Sequence, residues 1–375
     1  MIPVLVLGAG KIGGAIAKLL SSSGDYDVLV GDVDESALKR LANLGKVKTA
    51  KVDVSSGPAI RKLMKDRKAV ISACSFNLNP GIATEAAEGG LSYFDLTEDV
   101  ETTKLVRNIS KKAKPGQVFM PQCGLAPGFV SIAANHLTKE FEKLDEVRMR
   151  VGALPQFPTN ELKYNLTWST DGLINEYGNA CEAIHDGRFI QTLPLEGLEH
   201  FSLDGVDYEA FNTSGGVGTL CETLQEKVRT LDYKTIRYRG HRDLIAFLMN
   251  ELRLNQRRDI LKDILENAIP MTPQDVVLIF CTVTGWKDGR LTQLTDARKI
   301  YHGDCLGENW GAIQITTAAG ACAVFDLLMN RRKPRQGFIR QEEVALDEFL
   351  ANRFGQYYRR MPQETGTRAP VLVRS

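Results

Sequence analysis

The chain has 375 residues, of which 43% are apolar and 25% charged, the profile of an ordinary soluble globular protein and not of a disordered or fibrous one. That length exceeds what one compact core usually spans, so two domains are expected. With 47 basic against 46 acidic residues the net charge is +1, which argues against bulk attraction to nucleic acid or to an anionic membrane, and no run reaches the roughly eighteen apolar residues that span a bilayer.

An apolar run from Ile2 to Leu7 reads as the first strand, and Gly8-Ala9-Gly10-Lys11-Ile12-Gly13 follows it directly into the helical stretch Ala15 to Leu20. A strand turning sharply into a helix leaves the first helical N–H groups unpaired, and glycines let a pyrophosphate approach them. In that reading Gly8 makes the tight turn, Gly10 clears space for the phosphates, Gly13 lets helix and strand pack, and Lys11 and Ile12 sit at the helix start. The second strand, Asp27 to Gly31, ends at Asp32, where a carboxylate accepts hydrogen bonds from the adenosine ribose. The competing reading is that Asp32 and Asp34 solvate a loop and cap the helix beginning near Glu35. An acid here repels a 2′-phosphate and Val33 and Asp34 offer no cation, so NAD is expected in preference to NADP.

Further strands are expected near Lys48 to Val52, Ala69 to Ser72, Ser92 to Asp95 and Gln117 to Met120, alternating with helices in the rhythm of a doubly wound parallel sheet. Ser56-Gly57-Pro58 looks like a helix start. Asp53, with Val54 beside it, either caps the loop after the third strand or touches the adenine edge. Ligands gather beyond the carboxyl ends of such strands. There, the small residues Ala73 and Cys74 permit approach of a nicotinamide ribose and Asn77 offers it a hydrogen bond, although a plain polar turn explains the segment equally well. Asp95 follows two aromatics and reads either as an acid with a raised pKa, fit for proton transfer, or as a helix N-cap ahead of Thr97 and Glu98. Glu98 is the next candidate acid. Cys123-Gly124-Leu125-Ala126-Pro127-Gly128 reads as a hinge, with Pro127-Gly128 aiming a helix N-terminus at a substrate carboxylate. Cys123 has no nearby histidine to activate it as a nucleophile.

Beyond Gly128 the rhythm changes. Glu146 to Val151, Lys163 to Trp168, Arg188 to Leu193 and Gly197 to Leu203 are strand-like, with one helical piece at Leu173 to Ala183, so an α+β domain with a mixed or antiparallel sheet is expected. Asp275 to Trp286 and Leu291 to Tyr301 form a hairpin through Asp288-Gly289. Helices are expected at Gly218 to Val228, His241 to Leu252, Arg257 to Asn267 and Asn309 to Asn330, and Arg331-Arg332-Lys333 reads as a solvated helix end. Glu176 is a candidate for a substrate's distal ammonium, against the plainer reading of a solvated helical glutamate. Arg237, Arg239 and His241 alternate along a strand and its exit; Arg239 is the first choice for a substrate carboxylate, which arginine pairs bidentately, and surface ion pairing is the alternative. His241 is either a further acid–base candidate or a helix-start residue.

The seven cysteines are widely separated and form no Cys-x-x-Cys pair, so neither a zinc site nor a disulfide framework is suggested and no metal is expected. The first strand begins at Ile2, leaving no room for a signal peptide, and a reducing cytoplasm is the expected compartment.

Cys123 to Gly128, Trp168-Ser169-Thr170-Asp171-Gly172-Leu173-Ile174-Asn175-Glu176-Tyr177, Thr213-Ser214-Gly215-Gly216 and Tyr238-Arg239-Gly240-His241 resemble the saccharopine dehydrogenase family, most of all its lysine 6-dehydrogenase branch. The resemblance implies an α/β fold: a Rossmann domain over residues 1–125, an inserted substrate-binding and dimerisation domain over 126–308, and a C-terminal helix and tail over 309–375 returning to the Rossmann domain. It implies a homodimer acting on a small amino-acid substrate. Lysine 6-dehydrogenases oxidise the ε-amine carbon of lysine with NAD, giving an imine that hydrolyses to the semialdehyde. The alternatives are saccharopine dehydrogenase, which oxidises a secondary amine joining lysine to a dicarboxylate, carboxynorspermidine dehydrogenase, and a catalytically idle NAD-binding regulator.

Overall fold

The computed structural model describes residues 1–42, 47–330 and 335–359; Arg331-Arg332-Lys333 and the C-terminal tail lie outside the described residues. The first part alternates strand and helix: β1 (Ile2–Leu7), α1 (Lys11–Ser22), β2 (Tyr26–Asp32), α2 (Glu35–Ala42), β3 (Lys48–Lys51), α3 (Gly57–Met64), β4 (Ala69–Ser72), α4 (Asn79–Gly89), β5 (Ser92–Asp95), α5 (Val100–Ser110) and β6 (Val118–Met120). Val4 and Val6 point into one apolar cluster and Leu5 and Leu7 into another. Helices cover both faces of the sheet, which is why its central strand is apolar without alternation.

The second part carries α6 (Phe129–Thr138), β7 (Lys143–Pro155), α7 (Thr170–Gly178), β8 (Cys181–His185), β9 (Arg188–Thr192), β10 (Glu199–Leu203), β11 (Val206–Asn212), α8 (Leu220–Leu224), β12 (Thr230–Tyr238), α9 (His241–Ala246), α10 (Arg258–Ala268), β13 (Asp275–Lys287), β14 (Arg290–Tyr301), β15 (Gly303–Cys305) and β16 (Glu308–Trp310). The chain then returns through α11 (Ala312–Met329), β17 (Gly337–Phe338) and α12 (Leu346–Ala351).

The first sheet is parallel throughout, in the order β17-β6-β5-β4-β1-β2-β3. This is a doubly wound arrangement with a crevice where the order reverses between β1 and β4. The second sheet is mixed: β10-β11-β12-β7-β13-β14, with β12 and β7 parallel and the ribbon β8-β9 attached to β12. Its longest hairpin turns at Asp288 and Gly289, both at positive φ, the backbone that a two-residue turn requires. α11 is long and apolar enough by composition to cross a membrane (mean hydropathy 1.6), yet 67% of it is buried inside the protein, with α1 against it.

Several expected elements differ. Lys163 to Trp168 is irregular chain with one bridge, Leu166 to Met271, because Lys163 turns at positive φ and the Asn160 amide donates to the Tyr164 carbonyl. The helix expected to reach Ala183 stops at Gly178, where Asn179 is extended, and Cys181 starts a strand instead. The helix expected over Gly218 to Val228 shrinks to α8, ended before Glu226 at positive φ. α9 passes into a π turn at Phe247–Glu251. Strands β8 and β11 lie where the sequence pattern signals none.

Candidate active site

The glycine loop is built for close approach. A Cβ on Gly8, at φ +100°, would meet the Ala73 carbonyl oxygen at 2.8 Å, while one on Gly10 would meet nothing within 4 Å. Gly10 is the N-cap of α1 and has no side chain to satisfy the first-turn N–H groups. Those donors border a cavity that Gly10, Lys11, Ile12 and Gly13 help to line, so the residues present fit a dinucleotide pyrophosphate. Asp32 ends β2 and accepts hydrogen bonds from the backbone N–H of Ala9 and, at 2.8 Å, of Asp34. Its carboxylate thus holds the glycine loop while keeping acceptor capacity for a hydroxyl. Asp34 takes the capping role, accepting from the N–H of Ser36 and Ala37.

Three of the expected cofactor contacts are engaged or directed elsewhere. The Asp53 carboxylate is occupied by the N–H and hydroxyl of Ser55 at 2.9 and 2.7 Å, the loop-cap arrangement, and neighbouring Val54 packs on the apolar cluster of that face. Ala73 and Cys74 line the cavity, where burial pushes the Cys74 thiol up to about 11. Asn77 is exposed and away from it. The buried asparagine of this loop is Asn79, which accepts the Ser72 hydroxyl at 2.7 Å.

The cavity, of about 390 Å³, lies between the carboxyl ends of the first sheet and one face of the second. From the first domain come the loop after β4 and Leu96 to Glu98. From the second come Trp168, Asp171 and Glu176 around α7 and the alternating residues Tyr233, Thr235 and Arg237 of β12, with Gly124 to Pro127 as the joint between domains. Alternation on a strand sends all three β12 side chains to one face.

Glu98 and Glu176 meet here from different domains. Burial raises the Glu98 carboxyl to about 7, helped by the charges of Asp99 and Asp95. Burial raises Glu176 to about 8; the positive charge of Arg237 opposes this and Glu98 adds to it. The approach is enforced by Gly215: a Cβ there would stand 2.2 Å from the Glu98 carbonyl oxygen, and the next-door Ser214 N–H donates to the Glu176 carbonyl at 2.9 Å. Arg237 is only 2% exposed. Its Nε donates to the Tyr177 hydroxyl and its Nη1 to the Ile236 carbonyl, both at 2.8 Å, and it lies over the Tyr164 ring at 5.1 Å. One permanent cation thus faces two carboxyls that exchange protons near neutrality.

Four sequence-based candidates require correction. Arg239 is half-exposed and pairs with Asp207 at 3.7 Å, outside the cavity, because β12 ends at Tyr238 and Gly240 turns at φ +96°; the inward arginine is Arg237. His241 is fully buried and does not line the cavity. Burial, then the charge of Arg237, holds it down to about 3, so it is a neutral core histidine and not a proton carrier. Asp95 is also fully buried and is not on the cavity wall. Its carboxylate accepts from the Tyr93 hydroxyl and the N–H groups of Thr97 and Gln122 at 2.8 to 3.0 Å, which ties the loop after β5 to the one after β6; the helix N-cap is Asp99 instead, accepting from the Thr102 N–H at 2.7 Å. Burial raises it to about 6. Finally, the start of α6 offers no carboxylate seat: Gly128 does not line the cavity, and the N–H groups of Phe129 and Val130 donate to the carbonyls of Gly124 and Leu125.

Gly124 and Pro127 do line it. Cys123 is buried and its thiol donates to the Met120 carbonyl at 2.9 Å. Among the described residues no group of three or more His, Cys, Asp or Glu is arranged to hold a metal ion.

Residues 4–120 match the saccharopine dehydrogenase NADP binding domain and residues 124–357 the saccharopine dehydrogenase C-terminal domain. The chain belongs to the saccharopine dehydrogenase family. It is 24% identical over 261 residues to saccharopine dehydrogenase [NADP(+), L-glutamate-forming] of Saccharomyces cerevisiae, covering 66% of this chain and 57% of that one. It is 21% identical over 253 residues to the mitochondrial alpha-aminoadipic semialdehyde synthase of Mus musculus, covering 64% of this chain and 27% of that one. The matched stretch therefore spans little more than half of the yeast relative and about a quarter of the mouse one. The fold resembles that of apo saccharopine dehydrogenase (L-Glu forming) from Saccharomyces cerevisiae, with a TM-score of 0.75, 17% identity and 96% of each chain covered.

Proposed function

We propose that this member of the saccharopine dehydrogenase family is an NAD-dependent dehydrogenase of the CH–NH group of lysine or a close derivative. The observation that carries the reading is the joint presence of Arg237, Glu98 and Glu176 in one cavity beside the glycine loop. A bound nicotinamide would supply the hydride acceptor. The protein's part is to orient the amine and move its proton.

In this reading Arg237 binds the α-carboxylate through the part of its guanidinium not engaged by Tyr177 and Ile236, and Glu176, within its field, receives the α-ammonium. Glu98, from the domain that carries the glycine loop, takes a proton from the reacting ammonium and releases it to solvent, then takes a proton from the water that adds to the iminium and returns it to the departing ammonia. A carboxyl near 7 is matched to both steps, being available in either protonation state at neutral pH. The α-substituents then sit on the second domain and the oxidised carbon faces the first.

The charge balance of the cavity supports lysine over saccharopine. Its described lining holds two cations, Arg237 and Lys11, while Asp171 is paired with Lys262 at 2.6 Å and Glu176, raised to about 8, is neutral below that pH; the extra carboxylates of saccharopine need more converging cations than these two. The second reading, saccharopine oxidation, rests on the relatives' names. NAD is supported by the Asp32 carboxylate at the end of β2, although the matching domain family is named for NADP and so is the yeast relative. The test is a spectrophotometric assay of NADH and NADPH formation with L-lysine, saccharopine and diamines. Turnover with saccharopine alone selects the second reading, and no turnover with any of them selects an idle nucleotide binder.

A further inference from the structure

His241 is buried, uncharged and off the cavity wall, yet its hydrogen bonds lead straight to Arg237. Its Nδ1 stands 2.9 Å from the Leu162 carbonyl oxygen. A carbonyl can only accept, so Nδ1 carries the ring proton and Nε2 is left bare. Nε2 lies 3.0 Å from the Tyr177 hydroxyl and must accept its proton. The Tyr177 oxygen is thereby turned to receive the single Nε–H of Arg237 at 2.8 Å. Every donor in the sequence Arg237, Tyr177, His241, Leu162 has one direction open to it.

We propose that His241 is a positioning residue which, through Tyr177, fixes the rotation of the Arg237 guanidinium so that its Nη2 edge faces the substrate carboxylate; this rests on the function proposed above. Among the described residues Nη2 has no protein acceptor. Tyr177 takes the Nε–H and Ile236 one of the two Nη1–H bonds, which leaves the second Nη1–H and the Nη2–H bonds as the free end of a planar fork. Arginine recognises a carboxylate by such an edge, and its rotation decides whether two hydrogen bonds form or one. Tyr164, Tyr177 and Phe211 pack around the imidazole with ring centroids 5.3 to 6.4 Å away, so the chain is enclosed and its polarity is not scrambled by solvent.

The test uses the full-length protein with L-lysine and 1,5-diaminopentane, which lacks the carboxylate. His241→Phe keeps a flat ring in the aromatic nest and deletes both hydrogen bonds. It should raise KM for lysine about tenfold with kcat near wild type, and leave the diamine and NAD affinity unchanged. His241→Gln restores an acceptor for the Tyr177 hydroxyl and should recover most of the loss. Equal KM for lysine in His241→Phe and wild type, or an equal rise for lysine and diamine, overturns the proposal. A second readout needs no turnover: ¹⁵N NMR of the His241 ring should show the Nδ1–H tautomer in the wild type and a shifted Nε2 resonance in Tyr177→Phe. Failure of the NMR result removes the positioning role itself. Absence of amine oxidation with the NMR result intact removes only the functional reading on which it rests.

Discussion

A Cβ on Gly13 would stand 2.0 Å from the carbonyl oxygen of Gly8, whereas one on Gly10, three residues earlier, would meet nothing. The two glycines therefore fail differently. Gly13→Ala should lower the melting temperature by pushing α1 off β1. Gly10→Ala should melt with the wild type and lose most dinucleotide affinity, since its methyl enters space reserved for phosphates. Thermal unfolding and fluorescence titration of the cofactor separate them, and wild-type affinity in Gly10→Ala would remove the phosphate role.

The Asp32 carboxylate predicts tighter binding of NAD than of NADP. Asp32→Asn should narrow the gap chiefly by improving NADP, because it deletes a charge that a 2′-phosphate must approach. Titration of both cofactors against both proteins checks this. Equal affinities in the wild type would mean that Arg40, which reaches Ser36 at 3.3 Å on the same helix start, offsets the acid.

Glu98→Gln should lower turnover by on the order of 100- to 10,000-fold, the usual contribution of a positioned base. With the carboxyl raised to about 7, the base form grows as pH rises, so wild-type kcat/KM should climb through that value and level off above it. The variant's profile should be flat there. A wild-type limb that survives in Glu98→Gln would shift the base to Glu176.

Arg237→Lys should raise KM for an amino-acid substrate by about ten- to a hundredfold and spare NAD binding, because one ammonium cannot reproduce the fork. Arg239→Lys, exposed beside Asp207, should change neither. Steady-state kinetics of the two variants side by side decide which arginine meets the carboxylate.

Glu176 is buried, and its carboxyl lies near 8, above the ordinary 4.5. The folded protein then holds a proton that the unfolded chain releases. This contribution to stability is complete below pH 4.5, falls as pH rises and is gone above about 8. Glu176→Gln, neutral at every pH, should melt with the wild type near pH 5 and a few degrees above it at pH 8.5. Identical melting curves at both values would show that the cavity hydrates the carboxylate.

The parallel sheet was legible because its inner strands, such as β1, β2 and β4, declare themselves locally by an apolar run bounded by turn residues, whereas the two-residue edge strand β17 carries no such signal. The site was less so. Glu98 and Glu176 acquire their chemistry from burial between domains, which no local pattern reports, and a helical glutamate reads first as solvated. Arg239 drew attention away from Arg237 because the same period of two runs through both. What separates them is the end of β12 at Tyr238. The inward series Tyr233, Thr235, Arg237 was visible in the sequence, and its aromatic and hydroxyl members signal a cavity wall more strongly than the arginines alone. Asp95 and His241 illustrate the opposite error, in which a buried titratable group is satisfied by its neighbours and reaches no solvent or substrate.

The return of α11 to α1 and of β17 to β6 bears on how the molecule is made. The Tyr26 hydroxyl that begins β2 bonds to Asp326, 300 positions later, and the Phe325 ring packs tilted against Tyr26 and edge-to-face against Phe94. On a ribosome the nucleotide-binding half is therefore synthesised first and sealed last, its flank waiting as exposed apolar surface until Ala312 to Met329 emerges. Such late, distant closure is slow. The first domain expressed alone should therefore aggregate more readily than the full chain, which light scattering of the two checks.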